Sequence, residues 1–364
     1  MKQIKKLIAL ILALVLLTVV FAGCSKKEET STSKEEKTDT TGTTSTKEET
    51  SSSEEKKDSE PILIGGSIMT LAYPWFLGAQ EGMERWAKDN PDANVKFQFE
   101  DSNMDIQTCI TKLENMAAAG AKGIVIFPPD AKAIIPTMVD LHNNKGIKFV
   151  VGDYPQQPDD PSQIVWSTFV GHDMRALGEE AGKIAVEYLK KLGKDDPVIL
   201  YISRPQSGQV SQDRFDGFTS VILESFPNAK IIEEGDAGAG DKNSAQDLMD
   251  SILQREKTID LVCGHNDAEV LGAYNAAVGA GRADEMKFIG IAGDKEVLAY
   301  VEEGKHWIGE VLQDPVVLGY TAMEALWKAL NGEKLPERYE LPKPEAITPE
   351  NIKNYDWRNW TWLG

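Results

Sequence analysis

The sequence predicts an α/β protein built as two doubly wound parallel-sheet lobes, and two features predict it. From Pro61 onward, short apolar runs alternate with amphipathic stretches of helical length, the signature of βαβ units and of a parallel sheet covered on both faces. The alternation then runs through a second time, which gives more strands than one compact layer accommodates. A chain of 364 residues is long enough for two or three domains of about 150 residues each.

The strands of the first half are expected at Ile62–Gly66, Val95–Glu100, Gly123–Phe127 and Lys148–Gly152, separated by helices at Pro74–Asn90, Met104–Ala119 and Lys132–Lys145. The second half has strands at Val198–Ser203, Lys230–Glu234, Asp260–Gly264, Lys287–Ala292 and Trp307–Leu312. Its helices are expected at Asp173–Leu192, Gln209–Phe226, Lys242–Glu256, Glu269–Gly279 and Lys295–Glu303, with Pro315–Asn331 last.

Two special segments precede this body. Basic Met1–Lys6 leads into the apolar run Leu7–Ala22, which is short for a membrane-spanning helix and ends in Phe21-Ala22-Gly23-Cys24. This is the form of a bacterial lipoprotein signal at residues 1–23, in which small residues fit the peptidase and the Cys24 thiol takes the lipid. An uncleaved anchor with an incidental Cys is the alternative. Residues 24–60 then form a tether: Ser25–Glu60 holds 17 Ser or Thr, 18 charged residues, one Gly and no apolar side chain. Such a segment cannot offset the entropy of ordering, and as a coil its ends lie roughly 30–36 Å apart.

The formal net charge is −19, of which the body 61–364 carries −18. Nucleic-acid binding is excluded, because it needs a basic surface to replace the counterions of phosphate. Three cysteines, Cys24, Cys109 and Cys263, make neither a disulfide framework nor a zinc site. Cys109 and Cys263 are expected as buried free thiols. Asp236–Asp241 invites a phosphate-loop reading but lacks the Gly-Lys-Ser/Thr that would carry it, and is expected as a surface turn.

In doubly wound sheets, ligands bind beyond the carboxyl ends of the strands. The first strand is followed by Tyr73-Pro74-Trp75-Phe76, the second by Asp101-Ser102-Asn103, the third by Pro128-Pro129-Asp130 and the fourth by Asp153-Tyr154. In the second half the matching places hold His265-Asn266-Asp267, Gly293-Asp294 and Gln313-Asp314-Pro315, with Arg214 in the helix start Asp213-Arg214-Phe215-Asp216-Gly217-Phe218.

Together, in this order and spacing, these residues resemble the ribose- and galactose-type periplasmic sugar-binding proteins, from Ile62 to about Ile352. The matches are Pro74-Trp75-Phe76, Asp153 at a strand end, Arg214 in Arg-x-x-Gly-Phe, Asn266-Asp267 before Leu271-Gly272-Ala273, and Gln313-x-Pro315. The resemblance implies a type I periplasmic binding protein-like fold with a three-segment hinge near Gly171-His172, Gln313-Asp314 and Leu341–Lys343. Its lobes would be 61–171 plus 314–341 and 172–313 plus 342–364. The chain departs from the ribose-type pattern at three places: Tyr154 stands where Arg often follows the Asp, Pro128 where Asn sits, and Gly293-Asp294 replaces the usual Phe-Asp pair. Ribose itself is therefore a poor expectation.

The resemblance implies that Asp153, Arg214, Asn266 and Gln313 bond the hydroxyl rim of a sugar, and that Trp75, Phe76 and Tyr154 cover its C–H faces. Tyr73, Asp101, His172 and Asp294 complete the candidate set. The structural alternatives are Trp75 and Phe76 as helix core, the acids at strand ends as helix caps, Arg214 in an ion pair with Asp216 or a nearby acid, and His172 as a loop residue. No metal spacing is present and no cofactor is implied.

The function expected is a membrane-tethered, monomeric, non-enzymatic receptor, lipid-anchored outside the cytoplasm, that delivers a monosaccharide or polyol to an ABC permease. The alternative is a sensor feeding a chemoreceptor or histidine kinase. Catalysis would need a nucleophile with its base, or paired carboxylates about a scissile bond, and no such set is visible. The Trp357–Trp362 tail is expected to pack on the body.

Overall fold

Alternate residues of one strand point to opposite faces of a sheet, and the central strands here are apolar on both. Ile124, Ile126, Phe149 and Val151 are buried in one core cluster, while Val125, Phe127 and Val150 are buried in another. Such strands require helices on both sides, and the computed structural model supplies them. It describes residues 60–130, 132–155, 158–235, 241–339 and 341–362. The expected signal segment, Cys24, the expected tether up to residue 59 and residues 236–240 of the expected surface turn lie outside the described residues.

The first sheet contains β1 (Ile62–Ile68), β2 (Val95–Asp101), β3 (Gly123–Ile126), β4 (Lys148–Gly152) and β5 (Trp166–Val170), interleaved with α1 (Trp75–Asp89), α2 (Ile106–Ala118) and α3 (Ile135–Lys145). The second contains β6 (Val198–Ser203), β7 (Lys230–Gly235), β8 (Leu261–Gly264), β9 (Lys287–Ala292) and β10 (Trp307–Leu312). Its helices are α4 (Met174–Leu192), α5 (Gln209–Ser225), α6 (Lys242–Arg255), α7 (Asp267–Gly279) and α8 (Lys295–Glu303). The chain then returns through α9 (Pro315–Leu330) to β11 (Arg338–Tyr339) and ends through β12 (Glu345–Ile347).

The sheet orders are β11-β5-β4-β3-β1-β2 and β12-β10-β9-β8-β6-β7. Among the described residues the strands pair in parallel except for β12, which runs antiparallel to β10. The two lobes thus repeat one strand order, and each takes an edge strand from the last part of the chain, parallel in the first sheet and antiparallel in the second. β5, β11 and β12 are additions to the expected elements; the others match to within a few residues.

Because α9 packs with α1 against the first sheet, the chain passes between the sheets three times: after Val170, after Leu312 and after Tyr339. The crossings are bonded to one another. His172 Nε2 meets the Asp314 carbonyl at 3.2 Å, and the Arg338 guanidinium donates to the carbonyls of Gly171 (3.2 Å) and His172 (2.9 Å).

Glycine sets the closest helix approaches. A Cβ on Gly82 of α1 would stand 2.1 Å from the Val316 carbonyl oxygen of α9. On Gly217 of α5 it would stand 2.1 Å from the Arg175 oxygen of α4. The Arg-x-x-Gly-Phe motif is thereby explained in packing terms. Gly217 lets α4 and α5 touch, and Phe218 anchors α5 with its ring 5.4 Å from that of Tyr201, so Arg214 is presented from a fixed helix.

Candidate functional site

A cavity of about 250 Å³ opens between the two lobes. Most of its wall comes from residues placed just beyond strand ends, as the doubly wound topology dictates. Met69 follows β1, and Asp153 and Tyr154 follow β4. From the second lobe come Arg204 after β6, His265 to Ala268 after β8, Asp294 after β9 and Gln313 after β10. Ala292 at the end of β9, Tyr73 to Phe76 at the start of α1, Met174 of α4 and Val210 and Arg214 of α5 close the remainder.

Asp153 is turned inward by its backbone. Its φ of +66° lies in the left-handed region, which Asp tolerates better than most residues, while its N–H stays bonded to the Val170 carbonyl at 3.0 Å. From there a polar relay crosses the cavity. Gln313 Nε2 donates to Asp153 Oδ1 (3.3 Å), and the Gln313 side-chain oxygen accepts from Arg214 (2.7 Å). Arg214 also donates to the His265 carbonyl at 2.5 Å. This guanidinium is only 4% exposed, and its Nε has no protein acceptor. The sequence alternative for Arg214 is an ion pair with Asp216 or a nearby acid; Asp216 instead accepts from Gln212 at 2.8 Å, and the Arg214 bonds above go to a carbonyl and an amide oxygen.

Burial dominates the electrostatics. It pushes the Asp153 carboxyl up to about 6, against the pull of Arg214. It drives His265 well below the usual imidazole range, with the charges of Arg214 and Arg204 adding to the effect. His265 is therefore neutral. Tyr154 is raised, first by burial and then by Asp153.

The apolar part of the wall is rigid. Trp75 donates its indole N–H to the Gln313 carbonyl at 2.8 Å, and its ring meets Phe76 edge-on at 5.1 Å. Phe76 is 4% exposed and also meets Phe127, so it serves both as core and as lining. Asn266 and Asp294 likewise do two jobs. They line the cavity and cap helices, accepting from Ala268 N–H (3.0 Å) and Glu296 N–H (2.8 Å).

Of the residues singled out in the sequence, the cavity gathers Tyr73, Trp75, Phe76, Asp153, Tyr154, Arg214, Asn266, Asp294 and Gln313. Two are not among its lining. Asp101 ends β2, the edge strand of the first sheet, and accepts the Asn103 N–H at 2.7 Å in a local turn. His172 is 5% exposed at the first crossing, with its ring on the Asp314 carbonyl. Sequence reasoning missed Arg204, whose Nε bonds Glu269 at 2.7 Å, and did not select Asp267 as a site residue. Arg204 directly follows an expected strand, so the rule that found Asp153 would have found it too. Among the described residues no cluster of His, Cys, Asp and Glu could hold a metal ion, and no helix is long and apolar enough to cross a membrane.

Two parallel-sheet lobes, with a polar cleft made at their strand ends, define the class: a periplasmic binding protein fold. The model of the periplasmic binding protein domain family matches residues 64–334, and the chain belongs to that family. It is 27% identical over 279 residues to the ribose import binding protein of Bacillus subtilis, covering 77% of this chain and 85% of the relative. A solute-binding protein of Mycobacterium smegmatis solved with bound glycerol is 26% identical, with a TM-score of 0.69 over 81% of this chain and 96% of that one. A Bacillus halodurans solute-binding protein with bound myo-inositol is also 26% identical, with a TM-score of 0.67 over 82% and 98%.

Proposed function

We propose that this protein is the receptor of an ABC importer for a monosaccharide or related polyol, and that it binds its ligand without changing it. The observation that carries this reading is the relay Asp153–Gln313–Arg214 beside the fixed Trp75 ring. A sugar has C–H faces that suit an aromatic wall and hydroxyls that both donate and accept. The cleft offers acceptors on Asp153 and Asp294 and donors on Arg214 and Asn266 around that wall. The relatives named for ribose import and solved with glycerol and myo-inositol fall in the same hydroxyl-rich class.

A thermal-shift screen of the protein against pentoses, hexoses, deoxysugars and polyols tests the reading, followed by mass spectrometry of the bound compound. Stabilisation by one member, recovered unchanged, is the expected result. No stabilisation by any of them, or recovery of a converted product, defeats it. Co-purification with a permease rather than with a chemoreceptor or histidine kinase separates import from sensing.

The lobes of the proposed receptor are 61–171 plus 314–341 and 172–313 plus 342–364, closing about the three crossings when ligand touches both. Small-angle scattering with the identified ligand should then give a smaller radius of gyration. The receptor is held outside the cytoplasm by lipid on Cys24. If Cys24→Ser is processed and retained in the membrane like the parent, the anchor is wrong while the binding reading stands.

A further inference from the structure

Asp267, which lines the cavity, and Glu310 of β10 are both buried, at 3% and 0% exposure. Their contacts are with backbone rather than with a cation. Asp267 Oδ2 accepts the N–H groups of Gly293 (3.1 Å) and Asp294 (2.7 Å), and Glu310 Oε1 accepts that of Ala292 (2.7 Å). Two side chains from distant parts of the lobe thus hold three consecutive amides of the turn between β9 and α8. That turn carries Asp294 into the cavity wall.

The other two carboxyl oxygens, Asp267 Oδ1 and Glu310 Oε2, meet no donor group of the protein. Both lie against Gly290, 2.4 and 1.9 Å from the point where a Cβ would stand. Two bare acceptor oxygens brought together in a dry core repel each other. One proton between them turns one into a donor and satisfies both.

We propose that Asp267 and Glu310 share one proton and act as a joint pair of positioning residues, fixing the Ala292–Asp294 turn at the cavity wall. The surroundings favour the protonated pair. Burial and the neighbouring Asp294 push Asp267 up to about 7, and burial with the charge of Asp267 drives Glu310 well above the carboxylate range. The other facing groups do not offset this. Cys263 at the end of β8 is raised by burial, with Arg214 a lesser influence on it, Val297 of α8 is apolar, and Lys242 and Glu296 act on Asp294. Gly290 is required here, since any side chain would drive the carboxyls apart. The shared proton does not depend on what the cleft binds; only its consequence for a ligand rests on the sugar-receptor reading.

The sign of the pH effect follows. The folded state keeps a proton that the unfolded chain releases near the ordinary carboxylate value. The pair's stabilisation is therefore complete below the ordinary carboxylate range and is lost progressively as pH rises from there until the raised folded-state values are passed.

The test uses the full-length protein without ligand. Glu310→Gln keeps an acceptor for Ala292 and offers Asp267 a permanent N–H donor, so it should fold. At pH 7 the infrared band of a protonated carboxyl should be present in the parent and lost in Glu310→Gln. The variant's melting temperature should also fall less between pH 5 and 8. Amide exchange at residues 292–294 should stay protected in Glu310→Gln and speed up about tenfold in Glu310→Ala. If Glu310→Ala does not fold, the infrared comparison still decides. A parent with no such band, or a band unchanged in both Glu310→Gln and Asp267→Asn, overturns the shared proton. A band present in a protein that no sugar stabilises would leave the pair intact and defeat only the receptor reading.

Discussion

Replacing Arg214 with alanine is the most discriminating perturbation of the proposed site. The guanidinium makes two strong bonds at a buried position, to the His265 carbonyl at 2.5 Å and to Gln313 at 2.7 Å. Each charge-assisted bond of this kind contributes about 1.5–3 kcal/mol. The change also removes the cation that holds the Asp153 carboxyl down and frees the Gln313 amide from one side. For a ligand whose hydroxyls lean on Arg214 the expected loss is about 2–4 kcal/mol, or roughly 30- to 1000-fold in Kd. Arg214→Lys should recover only part of it, because one ammonium cannot span both acceptors in the guanidinium's planar geometry. Titration calorimetry with the best compound of the sugar panel reads the first effect, and thermal unfolding without ligand reads the second. A wild-type Kd in Arg214→Ala, whatever its melting temperature, would remove Arg214 from the binding site and leave it a structural role only.

Three further outcomes are expected. Asp153 holds its proton up to about pH 6 when folded, against an ordinary 3.8, so its contribution is full in acid and fades as pH rises from about 4 to 6. Asp153→Asn should flatten the parent's decline in melting temperature over that span, and parallel curves would refute this. Gly217→Ala places a Cβ 2.1 Å from the Arg175 carbonyl oxygen, at a cost of about 1–3 kcal/mol in urea unfolding; an unaltered midpoint would mean that α4 and α5 can separate freely. Trp362, 2% exposed, belongs to the second-lobe core, yet a Cβ on Gly78 of α1 would meet it at 2.7 Å. Trp362→Ala should cost about 3–5 kcal/mol and enlarge the ligand-free radius of gyration; an unchanged radius would limit the tail to a packing role within one lobe.

What the sequence made legible follows from how local each signal is. Strands such as Val198–Ser203, Lys287–Ala292 and Trp307–Leu312 are predominantly apolar runs, and their limits match residue for residue. β5 was missed because Ser167 and Thr168 interrupt its apolar run, although Thr168 is buried in the sheet. β11 and β12, of two and three residues, are strands only because a neighbour's edge is open to them, a tertiary fact with no local pattern. Asp101 illustrates the same limit in the site. It ends a strand just as Asp153 does, but strand order places β2 at the sheet edge and β4 inside it, and order is not written in a strand's own residues. Asp267 went unselected because an acid beside a capping Asn reads as part of a helix start. Its meaning lies in Glu310, which arrives from 43 positions further along.

The crossings add a constraint on how such a protein can move. Were they three independent linkers, each could flex alone and the lobes would twist as well as open. Here His172 binds the second crossing through Asp314, and Arg338, from the strand before the third, binds both residues of the first. Arg338 is steadied in turn by the Phe169 ring, 5.1 Å from its guanidinium carbon. Helix caps sit at the first two junctions: Asp173 starts α4 and Asp314 starts α9, each accepting N–H groups of its own first turn. The helices therefore begin immediately at the crossings, and in the proposed closure dihedral change would fall on the few residues between strand end and cap. Gln313 lies in that short interval and is also the residue that joins Arg214 to Asp153 and receives Trp75. The same position thus closes the polar relay and lies at a crossing between the sheets, so in the proposed receptor ligand contact and lobe closure would be coupled through one side chain and its own backbone.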